Sequence, residues 1–185
     1  YELDKAFLDW LSKNRYNYIY TWNGVYEHFK GNGMLDECAK RGFILRVGHH
    51  DAIETMLPPH GNKYFSEEYY KTHPEYYKML GDGSRFEMLD NWGQMVLCSR
   101  NDEMIAEISK NLISWLGQNP QVKVYTLLNK DGTAPQCCCE KCKPYTKTEN
   151  FLYMIGKMAE AVSKVYPDVK IAFCPYTDIW EPPSY

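Results

Sequence analysis

The sequence predicts an α/β fold, a partial (β/α)8 TIM-type barrel of about four parallel strand–helix units with a long insertion after the second strand. Three observations predict it. Helix-period and strand-like segments alternate along the chain. The last two strand segments are near-continuous apolar runs, as expected where both faces of a parallel sheet are covered. Neither GxGxxG nor GxxxxGK[ST] occurs, which argues against a nucleotide-binding open sheet. The 185 residues suffice for a single domain, read as 1–185, with a real core. They fall short of the roughly 250 of a whole barrel.

Glu2 to Lys13 reads as a helix, with Leu3, Ala6, Phe7, Trp10 and Leu11 on one face. Tyr16 to Trp22 is aromatic and β-branched and reads as the first strand. Gly33 to Arg41 reads as a helix ended by Gly42, and Phe43 to Val47 as the second strand, closed by Gly48-His49-His50-Asp51. Asp102 to Leu116 carries Ile105, Ile108, Leu112, Ile113 and Leu116 at helical spacing. Val122 to Asn129 is the third strand, Thr148 to Tyr166 the longest helix and Val169 to Tyr176 the fourth strand. In that longest helix Phe151, Leu152, Ile155, Met158, Ala159, Val162 and Val165 are expected to face inward. The segment 51–100 interrupts the alternation with two short helices (Ser66 to Lys71, Pro74 to Leu80), a Gly81-Asp82-Gly83 turn and a hairpin over Arg85 to Leu97. An ordered insertion after a strand sits at the carboxyl-end face and reads as a lid or binding wall.

The formal charge of -3 mixes 21 basic with 24 acidic side chains, which gives no electrostatic case for nucleic acid or an anionic membrane. No apolar run is long enough for a membrane span. No signal peptide is visible, and a start at Tyr1 rather than Met reads as an internal or processed piece. Aromatic residues make up 15% of the chain, so many rings with polar tips must lie near the surface, where Tyr and Trp faces can stack on sugars. An ordinary aromatic core with a Tyr-rich surface fits the same composition.

Chemistry-bearing residues gather where strands end. Asn129-Lys130-Asp131-Gly132 follows the third strand and leads into Cys137-Cys138-Cys139-Glu140-Lys141-Cys142. Asp131 is the candidate acid, and Asp-Gly is equally a turn dipeptide. His49 and His50 close the second strand. In an extended segment their side chains diverge, so at most one faces a cleft at the strand ends. Trp22, Trp92, Tyr176 and Trp180 are candidate ring platforms, and Asn23 and Asn129 candidate hydroxyl ligands. Cys137, Cys139 and Cys142, with Cys98 or a His as fourth ligand, have spacing that fits a structural zinc, a disulfide set or free thiols. Seven cysteines are an odd number, and Cys38 and Cys174 sit in apolar patterns that predict buried thiols.

These marks resemble the barrel domain of an uncharacterised family of secreted bacterial proteins, often found among polysaccharide-utilisation genes. That barrel is distantly similar to α-glucuronidase-like and hexosaminidase-like glycoside hydrolases. The resemblance runs over roughly residues 15 to 183. It is carried by Gly48-His49, Tyr64-Phe65, His73-Pro74-Glu75-Tyr76, Leu97-Cys98, Asn129 with Asp131-Gly132, Cys137-x-Cys139-x-x-Cys142 and Tyr166-Pro167-Asp168-Val169-Lys170-Ile171. Lys130 and Cys138 depart from the pattern.

The resemblance implies a glycoside-hydrolase-like barrel segment acting on complex carbohydrate. Asp131, at the end of the fourth barrel strand, would be its general acid. Glycosidases set two carboxyl groups about the scissile bond, roughly 5–5.5 Å apart for retention and 6.5–9.5 Å for inversion. Asp51 and Glu181 are the candidate partners. His49, Trp22, Asn23, Asn129, Tyr176, Trp180 and Glu181 would contact substrate. The resemblance also implies a secreted, periplasmic or cell-surface location. The alternatives are a non-catalytic carbohydrate-binding protein and a structural domain with a cysteine-rich metal or disulfide loop. The uncovered edges of a half barrel predict self-association or pairing with the missing half of the barrel.

Overall fold

The computed structural model describes residues 2–87, 97–128, 131, 135–177 and 179–184. The elements in chain order are α1 (Glu2–Lys13), β1 (Tyr18–Thr21), α2 (Asn23–Asn32), α3 (Met34–Lys40), β2 (Ile44–Val47), α4 (Ala52–Met56), α5 (Tyr69–Thr72), α6 (Asp102–Gln118), β3 (Val122–Thr126), α7 (Lys147–Val165) and β4 (Lys170–Ala172). The strands form one sheet in the order β1-β2-β3-β4, and every pairing is parallel. Parallel neighbours need a crossover between them, and here each crossover carries at least one helix. A sequential, all-parallel sheet is the topology of half a β/α barrel.

The strands are shorter than the sequence predicts, because their apolar runs continue past the last ladder hydrogen bond into the loops that follow. The helix α2 was not foreseen. Its composition, with two glycines and no strong apolar stripe, hides it, and Gly33 in the left-handed region separates it from α3.

Helices cover one face of the sheet. Leu45, Val47 and Tyr125 are buried against them. On the other face the ladder places Tyr20, Arg46, Val124 and Lys170 in one row. Tyr18, Tyr20 and Ile44 are exposed on that side. The expectation that both faces of β3 and β4 are covered is corrected: Val124 and Ala172, on the face away from the helices, are only half-buried. Their apolar character suits the interior of a closed barrel.

The two long helices are built as their sequences dictate. Asn101 caps α6 by accepting from the Glu103 and Met104 amides, both at 3.1 Å. Met104, Ile105, Ile108, Leu112, Trp115 and Leu116 then point into the core. Thr146 and Glu149 form a reciprocal capping box at the start of α7. Phe151, Met154, Ile155, Met158 and Val162 are buried along it, whereas Val165 in its last turn is exposed. The stripe expected of α1 also faces outward: Leu3, Phe7 and Trp10 are exposed, and Leu8 alone of that helix is buried.

The described part of the 51–100 insertion packs as a fixed wall. Ala52, Ile53, Met56, Leu57, Tyr69, Tyr76, Tyr77 and Leu97 all join the main core. Asn111 of α6 donates to the Met56 carbonyl and to the Tyr69 hydroxyl, each at 2.9 Å. Isolated antiparallel bridges join Tyr77 to Leu97 and Met79 to Arg85. Most of the expected hairpin, with Trp92, lies outside the described residues.

Gly48 sits at the tightest point of the sheet. Its φ is 105°, and a Cβ built there would lie 2.3 Å from the Thr126 carbonyl oxygen. Gly48→Ala is expected to lower the unfolding free energy by at least about 2 kcal/mol, from backbone strain plus a backbone clash. Urea denaturation followed by Trp fluorescence checks this. A cost within about 0.5 kcal/mol, typical of a neutral surface site, would contradict it.

Candidate active site at the strand ends

Gly48 turns the chain out of β2. Its N–H donates to the Thr21 carbonyl of β1 at 3.1 Å, while its bare Cα passes beside Thr126 of β3. The backbone then enters a turn, with the Ala52 N–H donating to the His49 carbonyl at 3.1 Å. His49 and His50 therefore do not diverge as in an extended strand. Their rings meet edge to face, 4.2 Å between centroids, and the expectation that only one reaches the mouth is corrected.

The remaining contacts run outward from this pair. The His49 ring lies 5.4 Å from Trp22 and 6.0 Å from Tyr20. The His50 ring lies 5.9 Å from Tyr176, and its Nε2 is 3.4 Å from Asp131 Oδ1. Tyr176 donates its hydroxyl to that same oxygen at 2.8 Å. Trp22 follows β1, the histidines follow β2, Asp131 follows β3 and Tyr176 follows β4. All four strand ends thus meet in one chain of contacts.

The site has a buried floor and an open rim. His50 is buried, while the Asp131 side chain is about half exposed (51%) and Trp22 is exposed. Burial lowers the His49 pKa below its ordinary value, and the neighbouring His50 adds to this; Asp51 and Asp131 pull the other way. The hydrogen bond to Asp131, reinforced by its charge, raises the Tyr176 phenol above its ordinary value and keeps it a donor. Asp131 Oδ1 thus receives one phenol donor and faces one imidazole nitrogen, and about half of the side chain stays exposed.

Other expected residues take different places. Asn23 is buried at the head of α2, its amide nitrogen 3.5 Å from the Tyr125 hydroxyl, so it packs into the core instead of lining the rim. Its Oδ1 and the Thr21 hydroxyl are buried without a hydrogen-bond partner among the described residues. Trp180 and Glu181 are exposed, and among the described residues neither makes a ring contact or ion pair with the cluster. Asp51 is exposed at the start of α4, where its carbonyl accepts from the Thr55 amide. Asn129 lies outside the described residues.

Three participants, Tyr20, Arg46 and Thr126, escaped the sequence reading. Arg46 lies 4.3 Å over the Tyr20 ring and donates through Nε to the Thr126 hydroxyl at 2.5 Å. Together they extend the mouth down the open face of the sheet. The available signal was the period of two in β2, which sets Arg46 opposite the buried Leu45 and Val47.

A second cluster lies where the insertion meets the loop before α7. The sulfurs of Cys98, Cys137, Cys139 and Cys142 all lie within 4.8 Å of one another, close enough to bind one metal ion. Cys98 Sγ is 3.6 Å from Cys139 Sγ, 3.7 Å from Cys137 Sγ and 3.8 Å from Cys142 Sγ. These separations are far beyond a disulfide bond of about 2.05 Å, and all seven cysteines are free. Hydrogen bonding with Cys142 and Cys98 holds the Cys137 thiol below the ordinary range, and hydrogen bonding with Cys137 pushes Cys98 up to about 12. Cys138 points elsewhere, 3.7 Å from the Gln136 carbonyl. Cys38 is buried as expected. Cys174 is exposed, because β4 ends at Ala172 and the chain leaves the sheet before reaching it.

The depressed His49 pKa gives a titration with a definite sign. The unfolded imidazole binds a proton near pH 6.5, the folded one only at lower pH. Its neutral form therefore contributes stability that is present above about pH 6.5 and lost as pH falls through the folded value. NMR titration of the ring protons is expected to give His49 a midpoint below about 6.5. A midpoint above that value would contradict the burial described here.

Comparison with known proteins places this geometry in context. No curated protein sequence matches the chain. Among solved structures, a GH36 α-galactosidase from Geobacillus stearothermophilus in complex with stachyose superimposes with a TM-score of 0.49 at 12% identity, covering 82% of this chain and 20% of the other. An α-galactosidase from Lactobacillus brevis gives 0.45 at 11% identity, covering 77% and 18%. One from Thermus thermophilus, in complex with stachyose, gives 0.45 at 13% identity, covering 80% and 28%. The chain spans about a fifth of the length of the first structures it resembles. The family described as "Domain of unknown function (DUF4838)" matches residues 7–185, and the chain belongs to that family.

Proposed function

We propose that this chain is a glycoside-hydrolase-like barrel segment acting on complex carbohydrate, with Asp131 as the group that exchanges a proton with the glycosidic oxygen. The observation that carries the reading is the chain of contacts Trp22–His49–His50–Asp131–Tyr176, which joins four strand ends at one open mouth. A sugar needs a ring face to stack on and directional polar groups for its hydroxyls. Trp22 and Tyr20 supply the faces. His49, His50, Tyr176 and Asp131 supply the polar groups. His49, neutral at pH 7, can donate or accept.

For hydrolysis, a second carboxyl group must flank the bond. Asp51, one residue after His50, is the nearest candidate by chain position, and Glu181 and Asn129 remain candidate contacts from the loops that end β4 and β3. Trp180 would add a platform at the rim. A secreted, periplasmic or cell-surface location, which the family resemblance implies, would suit a polymeric carbohydrate target. The open face and free edges of the sheet fit a chain that pairs with the rest of a barrel or with a second copy.

Non-catalytic carbohydrate binding is the second reading. It is favoured by the Tyr176 hydroxyl, which holds Asp131 as an acceptor at one oxygen while the side chain stays half exposed. In both readings a metal at the thiol cluster is structural. Four protein thiolates would fill a tetrahedral ion's coordination and leave no open position for substrate.

Activity on a panel of aryl glycosides and uronic-acid glycosides separates the two. Under the leading reading, Asp131→Asn lowers kcat/KM by at least about 100-fold, as expected for loss of general acid–base catalysis. Unchanged turnover in that variant would remove Asp131 from the chemistry. Sugar binding with no turnover in either protein would leave the binding reading standing alone.

A further inference from the structure

We propose that Cys98, Cys137, Cys139 and Cys142 bind one zinc ion as a closed tetrathiolate site that clamps the insertion to the loop carrying Asp131. A zinc–sulfur bond of about 2.3 Å in a regular tetrahedron sets the sulfurs roughly 3.8 Å apart. The three separations measured from Cys98 are 3.6, 3.7 and 3.8 Å. The remaining separations are each within 4.8 Å, so one ion can reach all four sulfurs. Disulfides would draw them together in pairs.

The surroundings are those of a metal site. Cys98, Cys137 and Cys142 are buried, and Cys139 is half-buried. The Met79 N–H donates to Cys137 Sγ at 3.2 Å, the kind of outer contact that stabilises and orients a thiolate ligand. Asn150 of α7 donates to the Cys142 carbonyl at 2.9 Å, and Arg100 donates to Asn150 at 2.6 Å, so the ligand loop is tied to α7 and through it to the segment just before α6. The hollow beside Cys98 and Cys139 is lined by Arg85 and Lys141 and also by Glu75, Asp102, Glu103 and Glu140, so it is the thiol geometry and not a cationic surround that favours the ion. Soft sulfur ligands in a tetrahedron select zinc over magnesium or calcium. A cluster of several irons needs its four cysteines further apart than a single ion does.

The clamp joins parts distant in sequence. Cys98 lies 39 residues before Cys137. Backbone bonds continue the join, with Cys138 N–H donating to the Met79 carbonyl and Cys98 N–H to the Tyr76 carbonyl. Asp131 lies six residues before the first of the three loop ligands. The ion is therefore a positioning element for the loop between β3 and α7.

The test is metal analysis of the purified chain, prepared without chelators, with thiol titration by a mercurial reagent. The expected result is one zinc per chain, released as four thiols react. Cys142→Ser is expected to lose the zinc and Cys138→Ser to keep it. Should Cys142→Ser fail to fold, exchange of cobalt into the unaltered protein decides the matter, with thiolate charge-transfer and tetrahedral ligand-field bands expected. Absence of zinc, iron in its place, zinc retained by Cys142→Ser, or a disulfide between Cys98 and the loop would each overturn the proposal. None of these readouts involves carbohydrate, so the outcome is separate from that of the strand-end site.

Discussion

The close pass of Gly48 between its two neighbours is the constraint on which the mouth depends. Its N–H is bound to Thr21 of β1, and its Cα leaves no room for a Cβ beside Thr126 of β3. Parallel strands already finish on one side of a sheet. This contact goes further: it ends β2 within reach of both neighbours and sends His49 and His50 over the ends of β1 and β3. Any side chain at position 48 would push β2 and β3 apart, and the His50–Asp131 approach would open with them.

The electrostatics of the mouth follow from partial burial. His50 is covered, so its approach to Asp131 takes place in a poorer dielectric than a surface pair would feel. Asp131 itself is half exposed, so the pair counts for little as a stabilising ion bridge. Its value lies in orientation: one carboxylate oxygen is fixed by Tyr176 while the side chain stays half exposed. The unpaired Thr21 hydroxyl and Asn23 oxygen just below the rim add polar atoms that the described residues do not satisfy.

Much of the fold was legible in the residues. The helical stripes of α6 and α7 and the four strands all stand close to where periodicity puts them. The failures have physical causes. Exposed apolar residues on α1, and the open side of β3 and β4, read as core because sequence shows hydrophobicity and not what covers it. At the mouth, Asp131, His49, Trp22 and Tyr176 were legible as strand-end residues. His50 was misjudged because a turn replaces the extended geometry assumed for it. Arg46 was missed because a cation within a strand reads as a solvated face. Asn23 read as a rim ligand because α2, which buries it, carries no clear helical pattern. The four-sulfur cluster was legible as a spacing, but its convergence with Cys98 needed the folded insertion.

The most direct measurement is a titration of the isotopically labelled chain with neutral oligosaccharides, followed by backbone and side-chain NMR. The account predicts saturable shifts concentrated at Trp22, His49, His50, Asp131 and Tyr176. Saturable shifts gathered at the opposite ends of the strands, around Gly117 and Tyr166, with these five residues unmoved, would contradict it.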